Sequence, residues 1–351
     1  MVDFAGYMMP LQYSNIKEEH LAVRSNVGLF DVSHMGEFVV RGKEALDLIQ
    51  SVTSNDASKL EIGQAQYSCL PNEVGGIVDD LLVYRLDEDR CSEGERAYML
   101  VVNAGNIQKD WKWIADRNTY ETDMIDISGR TGLLALQGPT AQQVLQMLTE
   151  VDLDSIPFYH HKKGAVAGID NVLISATGYT GSGGYELYVN ADKVGDLWDA
   201  LSQAGASVGM TLCGLGCRDT LRLEKGYCLY GNDIDETTSP LQAGLGWITK
   251  LKKTVDFPSK QMFINEKKNG IASRLVGLLV DARRVPRHGY PIVDQDGNHI
   301  GRVTSGSQSP SLDKPIGLGY VTKEHSAEGT QVLIDTGRKL LPATTVKVPF
   351  L

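Results

Sequence analysis

Two adjacent carboxylates, Asp79 and Asp80, lie in the run GGIVDDLLVYR, which has the composition and bounds of a β-strand. Alternation along a strand sends one of them inward and the other outward, and taken alone the pair reads as solvation at a strand entry. Glu186 closes the glycine-rich string TGYTGSGGYE and by itself reads as a carboxylate on a surface strand. Arg218 follows a Gly-x-Gly stretch in GLGCRD; it pairs with Asp219, caps a helix, or reaches into a cavity. An inward carboxylate can take a proton from a reacting nitrogen, and a carboxylate can accept two neighbouring N–H donors at once. Cys213 and Cys217 have CxxxC spacing but read as packed thiols without a function, and His160 and His161, adjacent on a strand, point to opposite faces and make a poor metal site. The chain has no GxxxxGK[ST], HExxH or GxSxG string, so phosphate-loop, zincin and α/β-hydrolase chemistry lose support.

The elements that must position these groups alternate strands with helices. NIKEEHLAVRSNVGLF carries Ile16, His20, Leu21 and Val23 at helical intervals before Gly28, and GEFVVRG then reads as a strand and EALDLIQSV as a short helix. AQYSCLPN and GIVDDLLVYRL form a hairpin across Asn72 to Gly76, which places Asp79 and Asp80 on a strand. RAYMLVVN is a further strand, with Asn103 as N-cap of a helix over AGNIQKDWKWIADRN. Strand TGLLALQG, helix TAQQVLQMLT, two strands in GAVAGIDNVLISA, strand GYELYVN and helix KVGDLWDALSQAG continue the mixture. After about residue 271 helical periodicity fades, and RLVGLLV, GYPIVDQDGNHIGRV with its Asp296-Gly297 turn, PIGLGYV, TQVLIDT and KLLPATTVKVPF read as successive strands of a small β-barrel or jelly-roll-like domain. The class is α+β with antiparallel sheets and packed helices.

Composition narrows the function. Lys and Arg number 34 against 44 Asp and Glu, a formal charge of −10, which disfavours nucleic acid as a partner. With 42% hydrophobic and 22% charged residues the chain reads as an ordinary globular protein, and its 37 glycines exceed the roughly 25 that a 7% frequency gives, which suits a loop-built small-molecule site. No membrane-length apolar run and no secretory signal are present, and five cysteines without CxxC spacing fit a reducing compartment.

The strings FDVSHMGEF, NEVGGIVDDLLVYR, LVVNAGNIQKDW, TGYTGSGGYELYV, CGLGCRDTLRLEKGYCLYGNDID and VTSGSQSPSL, in that order, resemble the aminomethyltransferase (T-protein) family of the glycine cleavage system over essentially the whole chain. The resemblance implies three domains in a cloverleaf around a central opening that binds tetrahydrofolate. It assigns residues 1–37 and 130–240 to a discontinuous folate-binding domain, 38–129 to a second domain carrying Asp80, 241–270 to a connector and 271–351 to the C-terminal barrel. It also implies transfer of an aminomethyl carbon from the dihydrolipoyl arm of an H-protein to tetrahydrofolate as co-substrate, with no metal, other components of the system being met only indirectly. The expected location is a bacterial cytoplasm in preference to a mitochondrial matrix.

Site residues follow from the same resemblance. Asp80 is the essential carboxylate near the folate nitrogens, and Arg218 lies beside the folate and the incoming lipoyl arm. Glu186 meets the N3 hydrogen and 2-amino group of the pterin, and Met35, Tyr67, Tyr84, Asn103, Tyr179 and Tyr227 line the folate site. Two other readings remain: a tetrahydrofolate-dependent demethylase of the same superfamily, and a folate-binding iron–sulfur assembly factor. The latter carries a KGC[YF]xGQE-like string, from which residues 225–233, KGYCLYGND, depart in cysteine position and glycine spacing. DARRVPRHGY gathers Arg283, Arg284 and Arg287 at a turn of the barrel; this is a solvated basic loop or a dock for an acidic lipoyl carrier.

Overall fold

The structure, a computed structural model, describes residues 1–89 and 91–351. In the strand Gly184–Asn190, Tyr185, Leu187 and Val189 enter a hydrophobic core, so alternation leaves Glu186 and Tyr188 on the opposite face. The strand belongs to a six-stranded sheet ordered His161–Val166, Ile169–Ser175, Gly184–Asn190, Thr131–Gln137, Gly28–Asp31, Thr211–Leu212. Its pairs are antiparallel except the last, Thr211–Leu212 with Gly28–Asp31. Helices Ala141–Gln146 and Val194–Ala206 close that core, the latter through Leu197 and Leu201 four residues apart.

A five-stranded sheet obeys the same rule. Its order is Ala65–Pro71, Ile77–Arg85, Arg96–Val102, Gly36–Gly42, Thr122–Asp126. Phe38, Val40, Leu81, Val83, Tyr98 and Leu100 pack with helix Ala45–Val52, which supplies Ala45, Leu48, Ile49 and Val52, and with Ile114 of helix Ile107–Ala115. Alternation therefore turns Glu37, Asp80 and Tyr84 to the other face. Both sheets lie in one compact unit, Met1–Leu70, Val78–Arg218 and Lys252–Phe257. The hydroxyls of Tyr84 and Tyr188, one from each sheet, are 3.1 Å apart.

The second unit comprises Pro71–Ile77, Asp219–Leu251 and Pro258–Leu351. The expected C-terminal strands close into a six-stranded barrel of Ser273–Val280, Lys314–Thr322, His299–Ser309, Pro291–Val293, Gln331–Asp335 and Leu340–Val346. Leu278, Ile292, Val303, Val321 and Ile334 fill it. Among the elements that the sequence pattern does not predict are strand Thr122–Asp126, mostly polar and without a buried residue, and helix Lys260–Asn269, which buries only Phe263. Neither writes an apolar period strong enough to read. No helix among the described residues is long and apolar enough to cross a membrane.

Arg222, in helix Leu215–Glu224, is 1% exposed and organises the second unit. It donates to Asp219 Oδ1 (2.8 Å), Asp233 Oδ2 (2.7 Å), Ser305 Oγ (2.9 Å) and the Tyr227 carbonyl (3.1 Å). Asp219, weighed as a partner for Arg218, is thus held by Arg222, one helical turn on. Removing one member of a buried ion pair strands the other in a low dielectric. We predict that Arg222→Ala destabilises the protein by about 3–5 kcal/mol in urea unfolding; a loss below about 1 kcal/mol, the scale of an exposed pair, would contradict this placement.

Candidate active site

Asp79 and Asp80 separate as strand alternation requires, but neither solvates a strand entry. Asp79 points with Leu81 and Val83 toward helix Ile107–Ala115 and is fully buried, whereas Asp80 is half-buried on the opposite face. Both are gripped by one side chain. The Asn103 amide donates to Asp80 Oδ1 at 2.9 Å and Asp79 Oδ1 at 2.8 Å, and its backbone N–H donates to Asp79 Oδ2 at 3.1 Å. Tyr67 donates to Asp80 Oδ2 at 2.8 Å, and Asn106 Nδ2 to Asp79 Oδ1 at 2.7 Å. Asn103 therefore makes no capping bond: a 3-10 turn, Ala104–Asn106, intervenes and the α-helix begins at Ile107. Burial and then the charge of Asp79 push the Asp80 carboxyl up to about 7, against the bonds from Tyr67 and Asn103. At neutral pH Asp80 is poised to exchange a proton.

Glu186 is buried, and its Oε2 accepts from Thr177 Oγ1 at 2.5 Å. Behind that bond lies a hydroxyl cluster: Thr177 is 3.0 Å from Tyr84 Oη and 2.8 Å from Ser175 Oγ, and Ser175 donates to Tyr84 at 3.2 Å. Tyr84, expected at the pocket wall, is wholly buried with its hydroxyl committed to this cluster, so it supports the Thr177–Glu186 bond from behind. Burial raises the Glu186 carboxyl, opposed by Thr177 and by the charge of Arg218. The Arg218 guanidinium lies 4.7 Å from the centre of the Tyr179 ring. The glycines between Tyr179 and Glu186 permit the turn that links them: Gly181, Gly183 and Gly184 have φ of 62°, 76° and 119°, and a Cβ on Gly184 would stand 2.2 Å from the Leu136 carbonyl.

Met35 is half-buried in the turn before strand Gly36–Gly42, its N–H donating to Val32 O at 3.1 Å. The neighbouring His34, given no role on sequence grounds, is buried and held neutral, pushed to about 4 by burial and by Arg218. Tyr227 belongs to the second unit, on the turn after helix Leu215–Glu224, and is 36% exposed. Among the described residues one group of three could hold a metal, the buried Glu19, Cys213 and Cys217. The Glu19 carboxylate is taken by the N–H groups of Tyr13 (2.6 Å), Ser14 (2.9 Å) and Gly214 (2.9 Å), a loop-closing role. His161 is buried with Nε2 3.2 Å from the Arg85 carbonyl, while His160 is half-buried beside Gln64.

Sequence reasoning missed Glu37. It is fully buried on the same sheet face as Asp80, and among the described residues no hydrogen-bond partner reaches either carboxyl oxygen. The signal was a lone acid in GEFVVRG at positions alternate to Phe38 and Val40. Burial, with the charges of Asp126 and Glu186, pushes it up to about 9, so it is protonated at neutral pH. A carboxyl that rises from 4.5 on folding contributes full stability below that value and loses it as pH climbs toward 9. Glu37→Gln, neutral at every pH, should therefore gain about 1–4 kcal/mol over the native protein at pH 8, shrinking below about 1 kcal/mol at pH 5. Urea titrations at both pH values check this; a pH-independent difference would contradict it.

Known proteins resemble this chain over its whole length. Residues 1–253 match the GCVT N-terminal domain and residues 274–351 the glycine cleavage T-protein C-terminal barrel domain. The chain is 51% identical over 350 residues to the aminomethyltransferase of Flavobacterium psychrophilum, covering 100% of this chain and 95% of that one. The aminomethyltransferase of Halothermothrix orenii is 47% identical over 351 residues, covering 100% and 96%. The crystal structure of glycine cleavage system aminomethyltransferase T from Bartonella henselae is similar with a TM-score of 0.90 at 36% identity, over 100% of this chain and 93% of that one. Matched from end to end in sequence and fold, the chain belongs to the glycine cleavage T-protein family.

Proposed function

We propose that the protein is a tetrahydrofolate-dependent aminomethyltransferase. It takes the methylene carbon of an aminomethyl group borne on the dihydrolipoyl arm of an H-protein and gives 5,10-methylenetetrahydrofolate, ammonia and the dihydrolipoyl carrier. The observation that carries this reading is the half-buried Asp80 carboxyl, held by Tyr67 and Asn103 and pushed up to about 7. In the transfer the C–S and C–N bonds of the carrier break and two new C–N bonds form to N5 and N10 of the folate. The two protons that leave those nitrogens end on the amine and on the sulfur. Asp80 accepts and returns a proton close to its own ionisation, the regime in which general acid–base transfer is most effective. Glu186 offers a charged acceptor for the N3 hydrogen and 2-amino group of the pterin, with Thr177 fixing one oxygen. Arg218 and Tyr179 form the cationic and aromatic wall beside it, and Met35, in the turn before strand Gly36–Gly42, adds an apolar contact to the folate. Full-length similarity to aminomethyltransferases favours this reading over a demethylase or an assembly factor. The bacterial relatives support action in the cytoplasm.

The direct test supplies an aminomethyl-loaded lipoyl carrier and tetrahydrofolate and measures ammonia. Native protein should release ammonia in step with methylenetetrahydrofolate, and Asp80→Asn should lower turnover by roughly 10² to 10⁴ with the fold intact. Ammonia release that does not need tetrahydrofolate would contradict the reading.

The carrier needs a local exception to the net charge of −10. Arg283, Arg284 and Arg287 supply it: all three are exposed between strands Ser273–Val280 and Pro291–Val293, with Arg284 3.3 Å from Tyr290 Oη. Such steering acts on association and is screened over a Debye length of about 8 Å at physiological salt. Arg283→Glu with Arg284→Glu should raise the KM for the carrier several-fold at low salt, about 3- to 30-fold, and leave tetrahydrofolate affinity unchanged. An unchanged KM would exclude the loop as the dock.

A further inference from the structure

Helix Ile107–Ala115 sends Asp110 into the core beneath the five-stranded sheet, where it is 0% exposed. Its carboxyl lies within hydrogen-bonding reach of that of Asp79. Among the described residues no other donor reaches either Asp110 oxygen, whereas Asp79 already accepts from the Asn103 backbone, the Asn103 amide and the Asn106 amide. Two ionised carboxylates cannot bond to each other; one proton between them turns the contact into a hydrogen bond and removes one of two buried charges. The donors decide where the charge stays. Three N–H groups point at Asp79, which favours its ionised form, and none at Asp110, which favours the acid.

We propose that Asp79 and Asp110 share one proton and act as a positioning pair, Asp79 orienting Asn103 and, through the Asn103 amide, the reacting carboxylate of Asp80. The pair also sets the electrostatic environment of Asp80. The single negative charge left on the pair, one residue away and on the far side of the strand, opposes ionisation of Asp80 and keeps it basic enough to take a folate proton. The other charged or titratable groups facing this cluster are few. Tyr67 donates to Asp80 from the neighbouring strand, and Lys109 on the helix is a weak counter-charge to Asp110. The inference deepens the aminomethyltransferase reading and rests on Asp80 being the carboxylate that exchanges the proton.

The test is the pH profile of kcat/KM for tetrahydrofolate in the carrier-coupled assay, for native protein, Asp79→Asn, Asp110→Asn and Asp80→Asn. Asp79→Asn removes the opposing charge, so the acidic inflection should move down by about one pH unit. Asp110→Asn puts a neutral amide where the neutral acid stood, able to donate to Asp79, and should keep the native inflection. The infrared difference between native protein and Asp110→Asn should contain a protonated-carboxyl C=O stretch at neutral pH. An unmoved inflection in Asp79→Asn, or no such band, overturns the shared proton and its effect on Asp80. If Asp79→Asn does not fold, the infrared difference alone decides. Native turnover by Asp80→Asn would instead sink the reading of Asp80 on which the inference stands, a result distinguishable from the other two.

Discussion

Burial of acidic side chains governs the first unit. Glu37, Asp79 and Asp110 are fully buried, Glu186 is nearly so, and Asp80 is half-buried. In water such groups ionise at ordinary acidity, but inside a protein each charged form loses hydration that only hydrogen bonds or opposite charge can replace. The unit resolves the conflict by dividing labour. Asp79 and Glu186 receive donors, whereas Glu37 and Asp110 receive none from outside the carboxyl cluster and hold protons at neutral pH, at about 9 and about 11. Asp80, with two donors and a negative neighbour, falls between them.

This division explains why the scaffold takes the form it does. A helix-covered sheet buries one face completely and leaves the alternate residues of each strand for a second purpose. Strand Ile77–Arg85 sends Leu81 and Val83 into the core and turns Asp80 and Tyr84 to the other face; strand Gly184–Asn190 does the same with Leu187 and Glu186. Tyr84, Thr177 and Tyr188 stiffen the region behind Glu186 by hydrogen bonds alone, without adding charge. Unsatisfied acids such as Glu37 lower stability at working pH, a strain that persists where surrounding structure holds it in place.

Much of this was legible in the amino-acid sequence. The strand through Asp79 and Asp80, the hairpin before it, the helix at 194–206 and the C-terminal barrel strands all follow from strong apolar periods and glycine-containing turns. Periodicity carried less at Thr122–Asp126 and Lys260–Asn269, where few residues are buried. Asn103 reads equally well as a helix cap, since an asparagine before a helix commonly bonds the first turn; only the tertiary approach of Asp79 and Asp80 turns its amide away. Asp110 is spaced like any surface acid in a first helical turn, and nothing local reveals that its face is the buried one. Arg222 likewise needs the barrel residue Ser305, 83 positions away, before its burial makes sense.

The central claim is that Asp80 carries a proton equilibrium near neutrality, set by burial and by Asp79. A ¹³C NMR titration of side-chain carboxyl carbons in protein labelled at aspartate tests it directly. One resonance, missing from the spectrum of Asp80→Asn, should titrate at about 7. Assignment of that resonance to an inflection of about 4, the ordinary range of an exposed aspartate, would contradict the account.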